Sequence, residues 1–94
     1  PAILRFLITG ASPIKRIKRG RFVRNVLIAI GNSGDAGLLE TVLLRLADKD
    51  PLVRGAAVWA LGELDAARFA AEKAARLRVE TNADVQAEWR AYDG

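Results

Sequence analysis

Short patterns return along this chain at a nearly constant distance, and that return restricts the folds open to it. Val23-Arg24 comes back as Val53-Arg54 after 30 residues, Ala29-Ile30-Gly31 as Ala60-Leu61-Gly62 after 31, and Asp50-x-x-Val53 as Asn82-x-x-Val85 after 32. A period of about 30 residues accommodates two antiparallel helices and their turns, and a unit of that size buries its apolar face only by stacking on a copy of itself. The expected architecture is therefore an all-α solenoid. With 94 residues there is room for two full units and a half unit, close to the minimum for a stable stack.

Local signals divide the chain into about five helices. Gly10 breaks the first apolar stretch, and Ser12-Pro13 reads as an N-cap and first helical residue, opening a short basic helix that Gly20 ends. Phe22, Val23, Val26, Leu27 and Ile30 then mark the apolar face of a second helix, which Gly31 and Asn32 close in a left-handed cap. Asp35 caps the next, with Leu38, Leu39, Val42, Leu43 and Leu46 as its stripe opposite Glu40 and Arg45. Asp50-Pro51 repeats the cap-plus-proline signal, and Val53, Ala56, Ala57, Ala60 and Leu61 follow until Gly62. Asp65 opens an Ala-rich helix whose small side chains predict a close approach to its neighbour. A last helix from Asn82 carries Val85, Trp89 and Tyr92 on one face, the cap of the stack.

The expected organisation is a HEAT-like α-solenoid: a lead-in over 1–19 with the short basic helix, repeat 1 over 20–47, repeat 2 over 50–79 and a capping half-repeat over 82–94. The chain starts at Pro1 and contains no Met, which reads as a fragment of something longer. Ile3, Leu4, Phe6, Leu7 and Ile8 are then an apolar surface for a missing domain.

The inventory of side chains excludes most catalytic chemistry. There is no Cys and no His, so disulfides, Cys/His metal sites, thiol nucleophiles and imidazole acid–base catalysis are ruled out within this segment. Asp48 with Asp50 reads as turn and cap chemistry, and Asp84 with Glu88 as an exposed helix face, so neither carboxylate pair is assigned a catalytic role. GNSGDAG lacks the Lys-Ser/Thr of a phosphate loop and reads as an inter-helix turn. No uncharged apolar run approaches the roughly 20 residues of a membrane span, and PAILRFLITG lacks the layout of a signal peptide, so a cytoplasmic protein is expected.

Charge is the informative part. Residues 1–34 hold seven basic residues and no acid, while 35–94 hold eight basic and eleven acidic ones, so the cationic character belongs to one end. Within SPIKRIKRGRFVRN lie Lys15, Arg16, Lys18, Arg19, Arg21 and Arg24. A helix start at Ser12-Pro13 favours a phosphate, and these six side chains are the candidate nucleic-acid contacts, directed at the backbone and setting position more than sequence. Phe22 is assigned to the core, which leaves no base-stacking aromatic. Asn25 falls on the Arg21 and Arg24 side, and Trp59 among alanines reads as core. The plainer reading of the six cations is a solvated helix face or a set of internal salt-bridge donors.

In combination, SPIKRIKRGRFVRNVLIAIGNSGD followed by DPLVRGAAVWALGEL resembles the C-terminal helical-repeat part of bacterial epoxyqueuosine reductases. The resemblance covers residues 12–64 and thins over the Ala-rich 65–94. It implies a parent enzyme that reduces an epoxide on the modified wobble base of a tRNA in queuosine synthesis. Such a parent uses cobalamin and two [4Fe–4S] clusters, bound upstream of the repeats. No cluster ligand carries over onto a chain without Cys, and neither does a catalytic residue. The implied partners are tRNA and the upstream catalytic domain, with the six basic residues where they meet. The alternative class is a HEAT-like protein-interaction scaffold whose basic end binds an acidic partner.

Overall fold

The computed structural model describes residues 13–91, with side-chain surroundings from Lys18 onward. Its elements are α1 (Pro13–Ser33), a 3-10 turn (Ala36–Leu38) leading into α2 (Leu39–Arg45), α3 (Pro51–Leu64), α4 (Ala66–Arg76) with a 3-10 turn (Leu77–Val79), and α5 (Ala83–Ala91). Among the described residues there are five α-helices and no strand, the all-α stack that the repeat predicts. Ser12, Tyr92 and the apolar run from Ile3 to Ile8 lie outside the described residues.

Capping fixes where three of the helices begin. The Asp50 carboxylate accepts the Leu52 N–H at 2.9 Å with Pro51 as first helical residue, Asp65 accepts the Arg68 N–H at 2.9 Å, and the Asn82 amide oxygen accepts the N–H groups of Asp84 and Val85 at 2.9 and 3.2 Å. Asp35 does the same for Gly37 at the 3-10 turn, 2.9 Å. Each cap satisfies backbone donors that the first turn of a helix leaves free.

Helix α3 is the centre of the molecule, flanked by α1 and α5, while α2 and α4 pack on it to make the second layer. The result measures 37 × 29 × 17 Å, a slab two helices thick. Its core consists of Val23, Leu27 and Ile30 from α1, Val42 from α2, Leu46 just after it, the Val53 to Leu61 face of α3, Phe69 from α4, and Val85 and Trp89 from α5. Phe69 and Trp89 meet with ring centroids 5.1 Å apart and planes tilted by 48°, an edge-biased contact that joins α4 to α5.

Four expectations from the sequence are corrected. Gly20 does not end a basic helix, because α1 runs unbroken from Pro13 to Ser33, and the boundary expected between lead-in and first repeat falls inside it. Gly31 and Gly62 are likewise interior to α1 and α3, and the left-handed residue after α1 is Gly34, φ 65°. The physical reason is close approach. A Cβ on Gly20 would collide with the Asp50 carboxylate, and one on Gly31 would lie 2.5 Å from the Trp59 ring, so these glycines let α1 lie against α3 and its cap. Since Gly20 meets the start of α3 and Gly31 its ninth residue, α1 and α3 run parallel, as equivalent helices of successive repeats must.

Phe22 is 40% exposed and is not core: Val23, Leu27 and Ile30 define the buried stripe of the continuous helix, and Phe22 sits one position around from it. The alanines of α4 at 66, 67, 70, 71, 74 and 75 are exposed, so they form no tight seam, and Phe69 alone buries that helix fully. Their service to the fold is helix propensity on an outer surface.

Candidate nucleic-acid interface

The basic residues of α1 separate by helical position. Lys15 and Arg16 fall in its first turn. Arg19 turns inward, and its guanidinium holds both oxygens of Asp48, Nη2 to Oδ2 at 2.6 Å and Nη1 to Oδ1 at 3.3 Å. Arg45 adds a contact at 3.2 Å, and Asp48 Oδ1 also accepts the Asp50 N–H at 3.0 Å. The Asp48 side chain is only 3% exposed. Burial works to raise its pKa, but the Arg19 guanidinium, the Asp50 N–H and the charge of Arg45 outweigh that and hold the carboxyl below its ordinary value. Asp48 is thus turn chemistry, as its spacing to Asp50 suggests. It is also the buried acid that fixes α1 to the start of α3.

The same construction recurs one unit along. Arg54 of α3 grips Glu80 with Nε and Nη2, both at 2.9 Å, and its Nη1 donates to the carbonyls of Asp48 and Lys49 at 2.9 and 3.1 Å. Glu80 accepts the Asn82 N–H at 2.9 Å as Asp48 accepts that of Asp50. Its pKa is lowered, first by the Arg54 hydrogen bond, with burial opposing and the Asn82 N–H assisting. In α5, Gln86 stands at the place of Arg54 and donates to the Glu80 carbonyl at 2.6 Å. Both α3 and α5 therefore pin the loop in front of them from a position four residues past the cap.

Lys18, Arg21 and Arg24 are exposed, and none of them makes a hydrogen bond or ion pair among the described residues. Lys18, Arg21, Phe22 and Asn25 follow at i, i+3, i+4 and i+7, which puts a half-open aromatic ring between two cations and an amide on one exposed strip. The sequence reading missed Phe22 because an apolar residue beside Val23 fits a core stripe as long as the phase of that stripe is unknown. Its signal is the i, i+4, i+7 series Val23, Leu27 and Ile30, which leaves Phe22 off the axis of burial. Of the six candidate contacts, Lys18 and Arg21 share this strip, Arg24 is exposed nearer α3 and α5, and Arg19 is turned to Asp48.

Around the corner from that strip lies a groove of about 640 Å³ across α1, α3 and α5. Its floor comprises Ile28, Leu52, Gly55, Trp59 and Val85, with Arg24 on the α1 side and Asp84 and Glu88 on the α5 side. Trp59, read as core from the sequence, packs against the core with part of its ring and lines the groove with the rest. Among the described residues no group of three acidic, His or Cys side chains is placed to hold a metal, and no helix is long and apolar enough to cross a membrane.

A family model for HEAT repeats matches residues 21–91. An epoxyqueuosine reductase of Alicycliphilus denitrificans is 38% identical over 64 residues, a match that takes in 60% of this chain and 18% of that protein. No solved structure matches.

Proposed function

The chain belongs to the HEAT-repeat family, and from that premise we propose that it is the C-terminal helical-repeat module of an epoxyqueuosine reductase, docking tRNA and stabilising the enzyme without a reaction of its own. The observation that carries the reading is the open strip of α1. Lys18 and Arg21 are exposed with no described partner, on a helix that holds six basic residues and no acid, and Phe22 beside them offers an unpaired base a flat apolar surface. The 38% match to a reductase supports this choice of enzyme class. Iron–sulfur clusters take thiolate ligands, and this chain has none, so it does not fit cluster binding; in this reading the clusters and cobalamin belong to the rest of the parent protein.

Phosphate contact has a measurable signature. Binding of a tRNA anticodon stem-loop should weaken with salt at a slope of about −0.7 to −0.9 in log K against log salt per phosphate contact. Lys18→Ala with Arg21→Ala should flatten that slope by about two contacts' worth. Arg19→Ala should lower stability and leave the slope nearly unchanged. Absence of binding, or an unaltered slope in the double variant, overturns the docking role.

A further inference from the structure

The groove across α1, α3 and α5 is a different surface from the basic strip and has the opposite charge on its far wall. We propose that it docks an extended polypeptide segment carrying a lysine or arginine beside aliphatic residues. Asp84 and Glu88 stand one turn apart on α5, on the groove's edge, and neither carboxylate is hydrogen-bonded or ion-paired among the described residues. Asp48, Glu72 and Glu80, by contrast, are all held by arginines. Two carboxylates with no third ligand make a poor metal site and a suitable seat for an organic cation. The half-buried Trp59 on the floor adds a ring face for the same charge.

The floor is otherwise apolar. Leu52 is 42% exposed there, beside Ile28 and Val85, so aliphatic side chains of an occupant would be covered as its cation reaches the acidic wall. Gly55 keeps the floor low. A Cβ built there meets Glu88 Cγ at 3.8 Å and Val85 at 4.0 Å, ordinary contact, so the fold does not require glycine at this place, in contrast to Gly20 and Gly31. From Arg24 to Glu88 the groove crosses three neighbouring helices, about 16–20 Å at 8–10 Å per helix step, the length of five or six extended residues. A polyanion is the wrong occupant, because its phosphates would face Asp84 and Glu88. Arg24 on the near wall suits the carbonyls or an acid of the bound segment.

The test is titration of the protein with a blocked hexapeptide of alternating leucine and arginine, followed by backbone and indole amide NMR. The expected result is perturbation of Gly55 and the Trp59 indole, affinity at least tenfold weaker in Asp84→Asn with Glu88→Gln, and no such perturbation by the peptide with glutamate in place of arginine. Gly55→Leu, which fills the groove from an open position, should abolish binding in a folded protein. The proposal is overturned if the peptide does not bind, if the double variant binds it equally, or if an anticodon stem-loop perturbs the same signals. Failure here leaves the tRNA reading standing, since that one is read at Lys18 and Arg21.

Discussion

Asp48 answers to two helices at once. It is the acceptor for Arg19 of α1 and Arg45 of α2, and through its oxygen on the Asp50 N–H it sets the turn that starts α3. A buried acid of this kind is costly to remove, because its cations stay behind without compensation. Asp48→Ala should therefore destabilise the fold by about 3 kcal/mol, measured by urea unfolding. Arg68→Ala, at a largely exposed pair with Glu72, should cost about 0.5 kcal/mol or less. Little of this contrast is legible in the sequence. Arg19 and Asp48 are 29 residues apart, and one basic residue among six carries no local mark that it will turn inward. The turn role of Asp48 was legible, since a side chain two residues ahead of a capping Asp can bond only so many backbone groups.

At the scale of elements, caps were the readable signal and glycines the misleading one. Asp50, Asp65 and Asn82 announce their helices because a short side chain that accepts two or three residues ahead is local chemistry. Gly20 and Gly31 look like the same kind of punctuation, yet their reason for being there is Asp50 and Trp59 of the neighbouring helix, which only the packed structure brings near. The glycines can be separated by substitution. Gly55→Ala should stabilise by about 0.5–1 kcal/mol, since a helix interior prefers alanine and the space is open. Gly31→Ala has its Cβ 2.5 Å from the Trp59 ring and should destabilise, with the Trp59 emission shifting as the indole is displaced. Gly34→Ala should cost about 1 kcal/mol for a different cause, the left-handed backbone at φ 65°. Thermal or urea unfolding of the three variants checks the order.

For the whole molecule, the period of about 30 fixed the architecture in advance, because stacking is the only way such units bury their apolar faces. The arginine-held acids give that stack a pH dependence. Asp48, Glu72 and Glu80 all have folded-state pKa values below their ordinary 3.8, 4.5 and 4.5, so the unfolded chain binds protons first as pH falls. Their contribution is complete at neutral pH, begins to fade as pH nears those ordinary values, and is gone only below the lowered ones. The melting temperature should fall steeply below about pH 5, and Asp48→Asn should show a shallower fall from a lower starting point.

The uneven charge of the inner layer has a kinetic consequence as well. Helix α1 carries six cations and no acid, and α5, two helix steps or about 16–20 Å away, carries two acids and one cation. In an external field that arrangement experiences a torque. At about 0.01 M salt, where the screening length is about 30 Å, an approaching polyanion feels both edges at once and turns the molecule α1-first before they touch. At physiological salt, with screening over about 8 Å, only the edge it meets is felt, and arrivals on the α5 side end in rejection. For the tRNA docking proposed above, salt should accordingly act on the rate of productive arrival more than on the lifetime of the complex.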